Sequence, residues 1–397
     1  MRILLANKFY YHRGGDCTYT INLESLLKQY GHEVALFAMQ YPENIETPWS
    51  EYFPSEVKFS GGVENVKAAL RPFGTGEVKQ AFNRLLDDFK PDIVHLNNIH
   101  SQLSPVVAEI AKKRDIRVVW TLHDYKLLCP RYDCLRNENV VCKSCFTDKK
   151  QVLKNRCMKN SLSASIIAYL EAVKWNRQQL ETSTDVFICP SRFMYDKMIQ
   201  GGFNPEKLCI LPNCADIDKA KRENYCYKED YYCYLGRISH EKGVETLVNA
   251  AKQLPYHLKI IGGGPLKEIL EEKSKEYSNI EFLGYKYWED IKEIVGKARF
   301  TVIPSEWYEN YPLSIIESLC LGTPVLGANI GGIPEMIEEG KTGMLFESRN
   351  VENLRDKIQE IVAFDFDYKW IAEKSQQRYS GEIHYKKVMD VYHKNNL

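Results

Sequence analysis

Ten short runs rich in β-branched and aromatic residues recur along this chain. "RILLAN", "EVALFAM", "DIVHLNN", "IRVVWTLHD" and "DVFICPS" lie in its first half, and "YCYLGR", "HLKIIGGG", "IEFLGY", "RFTVIPS" and "PVLGA" in its second. Most are separated by segments of helical period, and that alternation leaves few solutions. Strands joined by helical crossovers run parallel, and a parallel sheet buries both of its faces under helices. The expected fold class is therefore α/β, with two Rossmann-like units in succession. A chain of 397 residues is also too long for one ordinary core and fits two. The pattern breaks at "NPEKLCILPNCADIDKAKRENYCYKED", where prolines and a charged, tyrosine-rich stretch intervene. This places a first domain at 1–205 and a second at 206–379.

Charge and composition remove several classes of function. Fifty-three basic residues balance 53 acidic ones, so no overall field draws the chain to nucleic acid. The opening "MRILLANKFYY" lacks the longer apolar core and the small-residue cleavage site of a signal peptide and reads as a first strand. "SASIIAYLEAV", at 163–173, is too short to span a bilayer and carries Glu171. A cytoplasmic location is expected. There, disulfides are a poor reading of the 12 cysteines.

In parallel α/β sheets, ligands bind beyond the carboxyl ends of the strands, and the unusual residues of this chain lie there. "PSEWYENYPLSIIESLCLGTPVLG" sets Glu309 and Glu317 on the seam between a strand and an apolar helix. Pro312 suits the first turn of that helix, where a missing N–H is no loss. The amides of Leu313 and Ser314 would then be free at the helix's positive end. Amides for phosphate oxygens and carboxylates for sugar hydroxyls are what a sugar nucleotide requires. Taken alone, two glutamates are more simply a solvated loop residue and a helix-surface residue.

Upstream, "YLGRISHEKGVETL" places Arg237 and Lys242 five positions apart after another strand, where two cations suit a diphosphate. "KIIGGGPL" adds Gly262, Gly263 and Gly264, and "GANIGGIPEM" adds Gly331 and Gly332. A nicotinamide-dependent oxidoreductase would instead show GxGxxG after its first strand, with an acid about twenty residues on. After "RILLAN" this chain gives "KFYYHRGGD".

The set "GRISHEKG", "GGGPL", the spaced pair Glu309 and Glu317, "PLSIIES", "GTPVLG" and "GGIPEMI" resembles the retaining glycosyltransferases of family 4. In the first half, "NKFYYHRGGDCTYTINLESLLKQYGHEV", "PDIVHLNN", "VWTLHDY" and "CPSRFM" follow in the same order. The resemblance implies a GT-B fold: two Rossmann-like domains with parallel sheets facing across a deep cleft, and a last helix at about 380–397 returning to the first domain. It implies transfer of a sugar from a UDP- or GDP-sugar to a hydroxyl of a glycan, with retention and without a metal. Arg237 and Lys242 would hold the donor diphosphate, Glu317 the ribose hydroxyls, and Glu309 the transferred sugar. The backbone from Asn310 to Ser314 would help, with Gly236 and Gly263 in the donor loops. Gly14 and Gly15 would approach the phosphate or the acceptor, and His123 of "TLHDY" would sit near the donor sugar, its plainer reading being a histidine satisfied by Asp124 or backbone. His95 reads as structural and His100 as an acceptor-side residue. The sequence departs from the family at Cys214, where a glycine is usual.

Two features fall outside that frame. Cys142 and Cys145 have the spacing of a zinc knuckle within the cysteine-rich stretch 129–157, and Cys129 with Cys157 could complete four thiolates, with Cys134 competing for the third place. Structural zinc is one reading, and general cysteine richness the other. Lys149, Lys150, Lys154, Arg156 and Lys159 precede an apolar helix containing Trp175, and 66–86 is similar in character. Such segments bind anionic membrane surfaces or are ordinary packed helices with a basic face. The expected acceptor is a lipid-linked glycan of surface polysaccharide synthesis, met at the inner face of the membrane. The alternative is a catalytically silent subunit that binds nucleotide sugars.

Overall fold

The computed structural model describes residues 1–58, 61–137, 140–214, 220–222 and 224–393. The chain divides into two compact units. The first comprises Met1–Arg136, Cys142–Pro212 and His384–Leu397, the second Asn137–Val141 and Asn213–Ile383.

The first unit is built on six parallel strands: β1 (Arg2–Ala6), β2 (Glu33–Phe37), β3 (Ile93–Leu96), β4 (Arg117–Thr121), β5 (Val186–Cys189) and β6 (Leu208–Ile210). Their order across the sheet is β2-β1-β3-β4-β5-β6. Every residue of β3, and all but the first residue of β1, β2 and β4, is buried, as a sheet covered on both faces requires. The expected boundary near 205 falls seven residues short of the division at Pro212, because β6 still pairs with β5. Three-residue "LCI" is too short to stand out from the turns around it. The last helix, Gly381–His393, lies in this unit from His384 onward. Val388, Val391 and Tyr392 enter its core, and Tyr385 stacks on Tyr30 at 3.7 Å between ring centroids.

The second unit repeats the architecture with β7 (Tyr231–Leu235), β8 (His257–Ile261), β9 (Ile280–Gly284), β10 (Thr301–Ile303), β11 (Val325–Ala328) and β12 (Gly343–Phe346). All are parallel, in the order β9-β8-β7-β10-β11-β12. Each sheet therefore has one point where successive connections depart in opposite directions: between β1 and β3 in the first, and between β7 and β10 in the second. Crevices open at such points beyond the carboxyl ends of the strands. Residues 215–219, which follow Cys214, lie outside the described residues.

Candidate active site

In the second unit, the crevice is built by the segments that leave β7 and β10. After β7, the turn at Gly236–Ile238 is fixed from below by the glycine loop that follows β8: Gly236 N donates to Ile261 O at 3.0 Å, and Ile238 N to Gly263 O at 2.9 Å. A Cβ on Gly262 would lie 2.0 Å from Gly236 O, so only glycine permits this approach. Gly263 is different, because a Cβ there would meet nothing within 4 Å. Its carbonyl anchors the turn, while its side-chain direction is open. The result presents Arg237 at the surface, with no ion-pair partner among the described residues.

Lys242 and Glu309, 67 positions apart in sequence, are bonded to each other. Lys242 Nζ donates to Glu309 Oε1 at 2.6 Å, Ser305 Oγ donates to the same oxygen at 2.7 Å, and Lys242 Nζ lies 5.0 Å from the centre of the Trp307 ring. Burial alone would raise the Glu309 carboxyl, but the charge and hydrogen bond of Lys242 and the bond from Ser305 hold it below its ordinary value. It is a carboxylate at neutral pH, already satisfied on one oxygen. The sequence reading gave the two residues separate duties, and the structure makes them one unit. Gly331, with φ of +64°, lets the backbone double back so that Gly332 N donates to Glu309 O at 2.8 Å. A Cβ on Gly331 would strike that same carbonyl at 2.3 Å.

The helix following this loop spans Leu313–Cys320, with Pro312 as its extended N-terminal cap residue and no side chain capping it. The amides of Leu313 and Ser314, in its first turn, have no acceptor among the described residues. Asn310 is buried, and Asn213 Nδ2 donates to Tyr311 O at 3.0 Å, tying the loop before the helix. Glu317 stands one turn in, and burial pushes its carboxyl up to about 7. Glu309 and Glu317 are thus unlike: one is paired and charged, and the other, raised by burial, has no side-chain partner among the described residues.

In the first unit, Gly14 precedes and Gly15 begins the helix Gly15–Gln29. Asp16 in its first turn accepts from Asn98 Nδ2 at 3.1 Å, and Asn7 Oδ1 accepts from Asn98 N at 2.9 Å. His123 is held by the Asn97 side chain, Nε2 to Oδ1 at 2.9 Å, where its plainer reading gave Asp124 or backbone. It meets the Tyr19 ring edge to face at 5.1 Å. Burial lowers His123 to about 4, with Asp16 opposing and Lys8 assisting, so the ring is neutral at pH 7. Asn97 Nδ2 is buried without a hydrogen-bond partner. Asp16, Asn97 and Asn98 went unnoticed in the sequence, although the doubled asparagine closing "DIVHLNN" at a strand end was available as a signal.

His95 is structural: Tyr392 Oη lies 2.7 Å from its Nδ1 and Thr121 Oγ1 2.7 Å from its Nε2. His100 lines a cavity of about 440 Å³ with Lys126, Lys149, Glu171 and Trp175. The charged groups there satisfy one another: Lys126 meets Glu171 at 2.9 Å, Ser101 Oγ donates to the same carboxylate at 3.0 Å, and Lys149 bonds the carbonyls of Leu127 and Leu128.

Cys129, Cys142, Cys145 and Cys157, the four thiolates of the zinc reading, all lie in the first unit. Cys129 lies beside Cys134 and Cys145, all three buried, and those two neighbours favour the Cys129 thiolate and push their own protons on more tightly. Cys142 is part-exposed, and its Sγ donates to Ser144 Oγ at 3.4 Å. Among the described residues, no three His, Cys, Asp or Glu side chains are placed to hold a metal ion. Cys157 is raised by burial and by its neighbours Cys129 and Cys142, so the cysteines of this stretch lie close together.

Residues 13–219 match the family described as Glycosyltransferase Family 4, and residues 216–378 that described as Glycosyl transferases group 1. The chain belongs to the group 1, family 4 glycosyltransferases. Over 361 residues it is 26% identical to a 42.6 kDa protein in the cps region of Klebsiella pneumoniae, covering 85% of this chain and 87% of that one. The colanic acid biosynthesis glycosyltransferase WcaL of Salmonella typhimurium is 27% identical over 207 residues, 48% of this chain and 50% of that one. A glycosyltransferase of Methanocaldococcus jannaschii is likewise matched over about half its length, 55%, at 26% identity. Among solved structures, HepE of Anabaena in complex with UDP-glucose superposes with a TM-score of 0.68 at 16% identity, over 98% of this chain and 99% of that one. The fold of this glycosyltransferase is accordingly GT-B.

Proposed function

We propose that the enzyme transfers a sugar from a nucleoside-diphosphate sugar to a hydroxyl of a lipid-linked glycan, with retention of configuration and without a metal ion. The observation that carries this is the crevice between β7 and β10, where the unpaired Arg237, the Lys242–Glu309 pair and the open amides of Leu313 and Ser314 lie on neighbouring segments. Departure of a nucleoside diphosphate concentrates negative charge on its oxygens. Cations and amides already in place stabilise that charge without reorganising, which is commonly the largest part of such catalysis. Arg237 and the helix amides would meet the diphosphate. Lys242, fixed by Glu309, would add a second charge, while the free lone pairs of Glu309 accept from sugar hydroxyls. Glu317 would accept from the ribose hydroxyls.

The C–O bond to the diphosphate breaks as the acceptor oxygen bonds to the anomeric carbon on the same face, and the acceptor's proton passes to the departing diphosphate oxygen. No protein nucleophile takes part. The UDP-glucose bound by HepE supports a uridine nucleotide as donor. The cps and colanic acid relatives support an acceptor in surface polysaccharide synthesis, met at the inner face of the membrane. The test is transfer from a panel of UDP- and GDP-sugars to a lipid-linked acceptor, with the product anomer read by NMR. Retention and full turnover in chelator are expected. Inversion, or turnover lost in chelator and restored by magnesium, overturns the mechanism. Absence of both transfer and donor hydrolysis returns the silent-subunit alternative.

A further inference from the structure

The helix Gly381–His393 buries His384, Val388, Val391 and Tyr392, whose spacing puts them on one face. The valines are ordinary core contacts. His384 and Tyr392 carry polar groups that burial penalises unless each finds a partner, and both do. The chain leaves the first unit after Pro212 and re-enters it at His384, and these two residues are bonded: Pro212 O lies 3.1 Å from His384 Nδ1. A carbonyl oxygen only accepts, so Nδ1 carries the proton. Burial lowers His384 to about 4, so the ring is neutral at pH 7 and its Nε2 keeps a lone pair, to which Tyr19 Oη donates at 3.2 Å.

Tyr19 carries this contact to His123. It belongs to the helix Gly15–Gln29, is buried, and its ring meets His384 edge to face at 5.7 Å and His123 at 5.1 Å. A second path starts about 12 Å further along the returning helix. Tyr392 Oη is bonded to His95 Nδ1 and His95 Nε2 to Thr121 Oγ1, each at 2.7 Å. Thr121 is the last residue of β4, two positions before His123. The returning helix therefore reaches His123 twice, once through the ring packed on it and once through the strand that carries it. Tyr19, His95, Thr121, His384 and Tyr392 are all buried. A dry network whose members partner one another holds them in one arrangement, where aliphatic packing alone would leave more freedom.

We infer that the returning helix sets the position of His123, with Tyr19 and His384 as positioning residues. This rests on the reading that puts His123 beside the donor sugar, where a displacement of about 1 Å can cost up to about a hundredfold in rate. The test is the imidazole proton–nitrogen NMR spectrum of the chain labelled at histidine nitrogen, with the His123 signals assigned from the His123→Ala spectrum. Tyr19→Phe keeps the ring against His123 and removes only the hydroxyl that His384 holds. The His123 signals are expected to shift in Tyr19→Phe, and to shift less in Tyr392→Phe, which cuts the second path. Both substitutions keep the ring, so near-ultraviolet dichroism should match wild type and serve as the fold control. In turnover, Tyr19→Phe should lower kcat about three- to tenfold with the donor KM unchanged, and should cost nothing further in the His123→Ala background. A merely structural tyrosine would lower both backgrounds equally. Unchanged His123 signals in Tyr19→Phe, or equal losses of kcat in the two backgrounds, overturn the inference. Transfer as fast in His123→Ala as in wild type would instead remove the histidine from the donor site, and the spectrum alone would then decide whether the helix positions it.

Discussion

The two sheets place different chemistry at equivalent points. Where β7 and β10 diverge in the second unit, the loops carry Arg237, a Lys242–Glu309 ion pair and an uncapped helix terminus. Where β1 and β3 diverge in the first, they carry Asn7, Asn97, Asn98 and a neutral His123, with Asp16 bonded to an amide. Topology supplies a crevice in each, and side chains decide what enters it. The charged crevice suits a phosphorylated group. The amide-rich one suits hydroxyls, which both donate and accept.

The comparison breaks first at Lys242. Removing it leaves the Glu309 carboxylate buried beside Ser305 without its cation. Lys242→Ala is expected to lower kcat/KM about a thousandfold and to cost about 1–3 kcal/mol of stability, since the lysine is itself partly exposed. Adding Glu309→Gln should restore stability and leave activity lost, a split measurable by denaturant unfolding and steady-state kinetics. Arg237→Ala should lower kcat/KM about a hundredfold with unfolding unchanged, because the guanidinium is exposed and bonded to no carboxylate among the described residues. Equal stability losses at the two positions would contradict their assigned difference.

A third test uses Glu317, raised by burial to about 7. In the proposed role ribose hydroxyls donate to the carboxylate, so nucleotide binding would favour the ionised form and affinity should climb as pH rises from about 6 to about 8, by up to about tenfold. Glu317→Gln removes the carboxyl's part of that slope and leaves any contribution from the nucleotide's own phosphate. The same raised value has the opposite sign for folding: stability from this group falls as pH rises from its ordinary value through about 7. The smallest effect is expected in the first unit. Asn97→Ala releases His123 and should slow transfer several-fold while leaving UDP affinity unchanged, as measured by calorimetry. A change in UDP affinity would assign that crevice to the donor.

Much of this was legible in the sequence because parallel strands advertise themselves. Strands buried on both faces read as apolar runs, and residues beyond their ends follow by topology. Arg237, Lys242, Glu309 and Glu317 could be named on that basis. What could not be read was the bond between Lys242 and Glu309, which depends on β7 lying beside β10 across the sheet. The amide network of the first unit was missed because its one signal, the doubled asparagine at the end of a strand, has no charge or spacing pattern of its own to mark it. The arrangement of the cysteines was hidden for a related reason: CxxC fixes the distance along the chain, but not that Cys142 turns to Ser144 while Cys134 takes a place beside Cys129.

The central claim is that the charged crevice of the second unit binds a nucleoside diphosphate. Calorimetric titration of UDP, GDP, ADP and CMP into wild type and Glu317→Ala tests it most directly. The account predicts that one diphosphate, UDP foremost, binds wild type and binds the variant at least about tenfold more weakly. No binding to wild type, or equal binding to both, would contradict it.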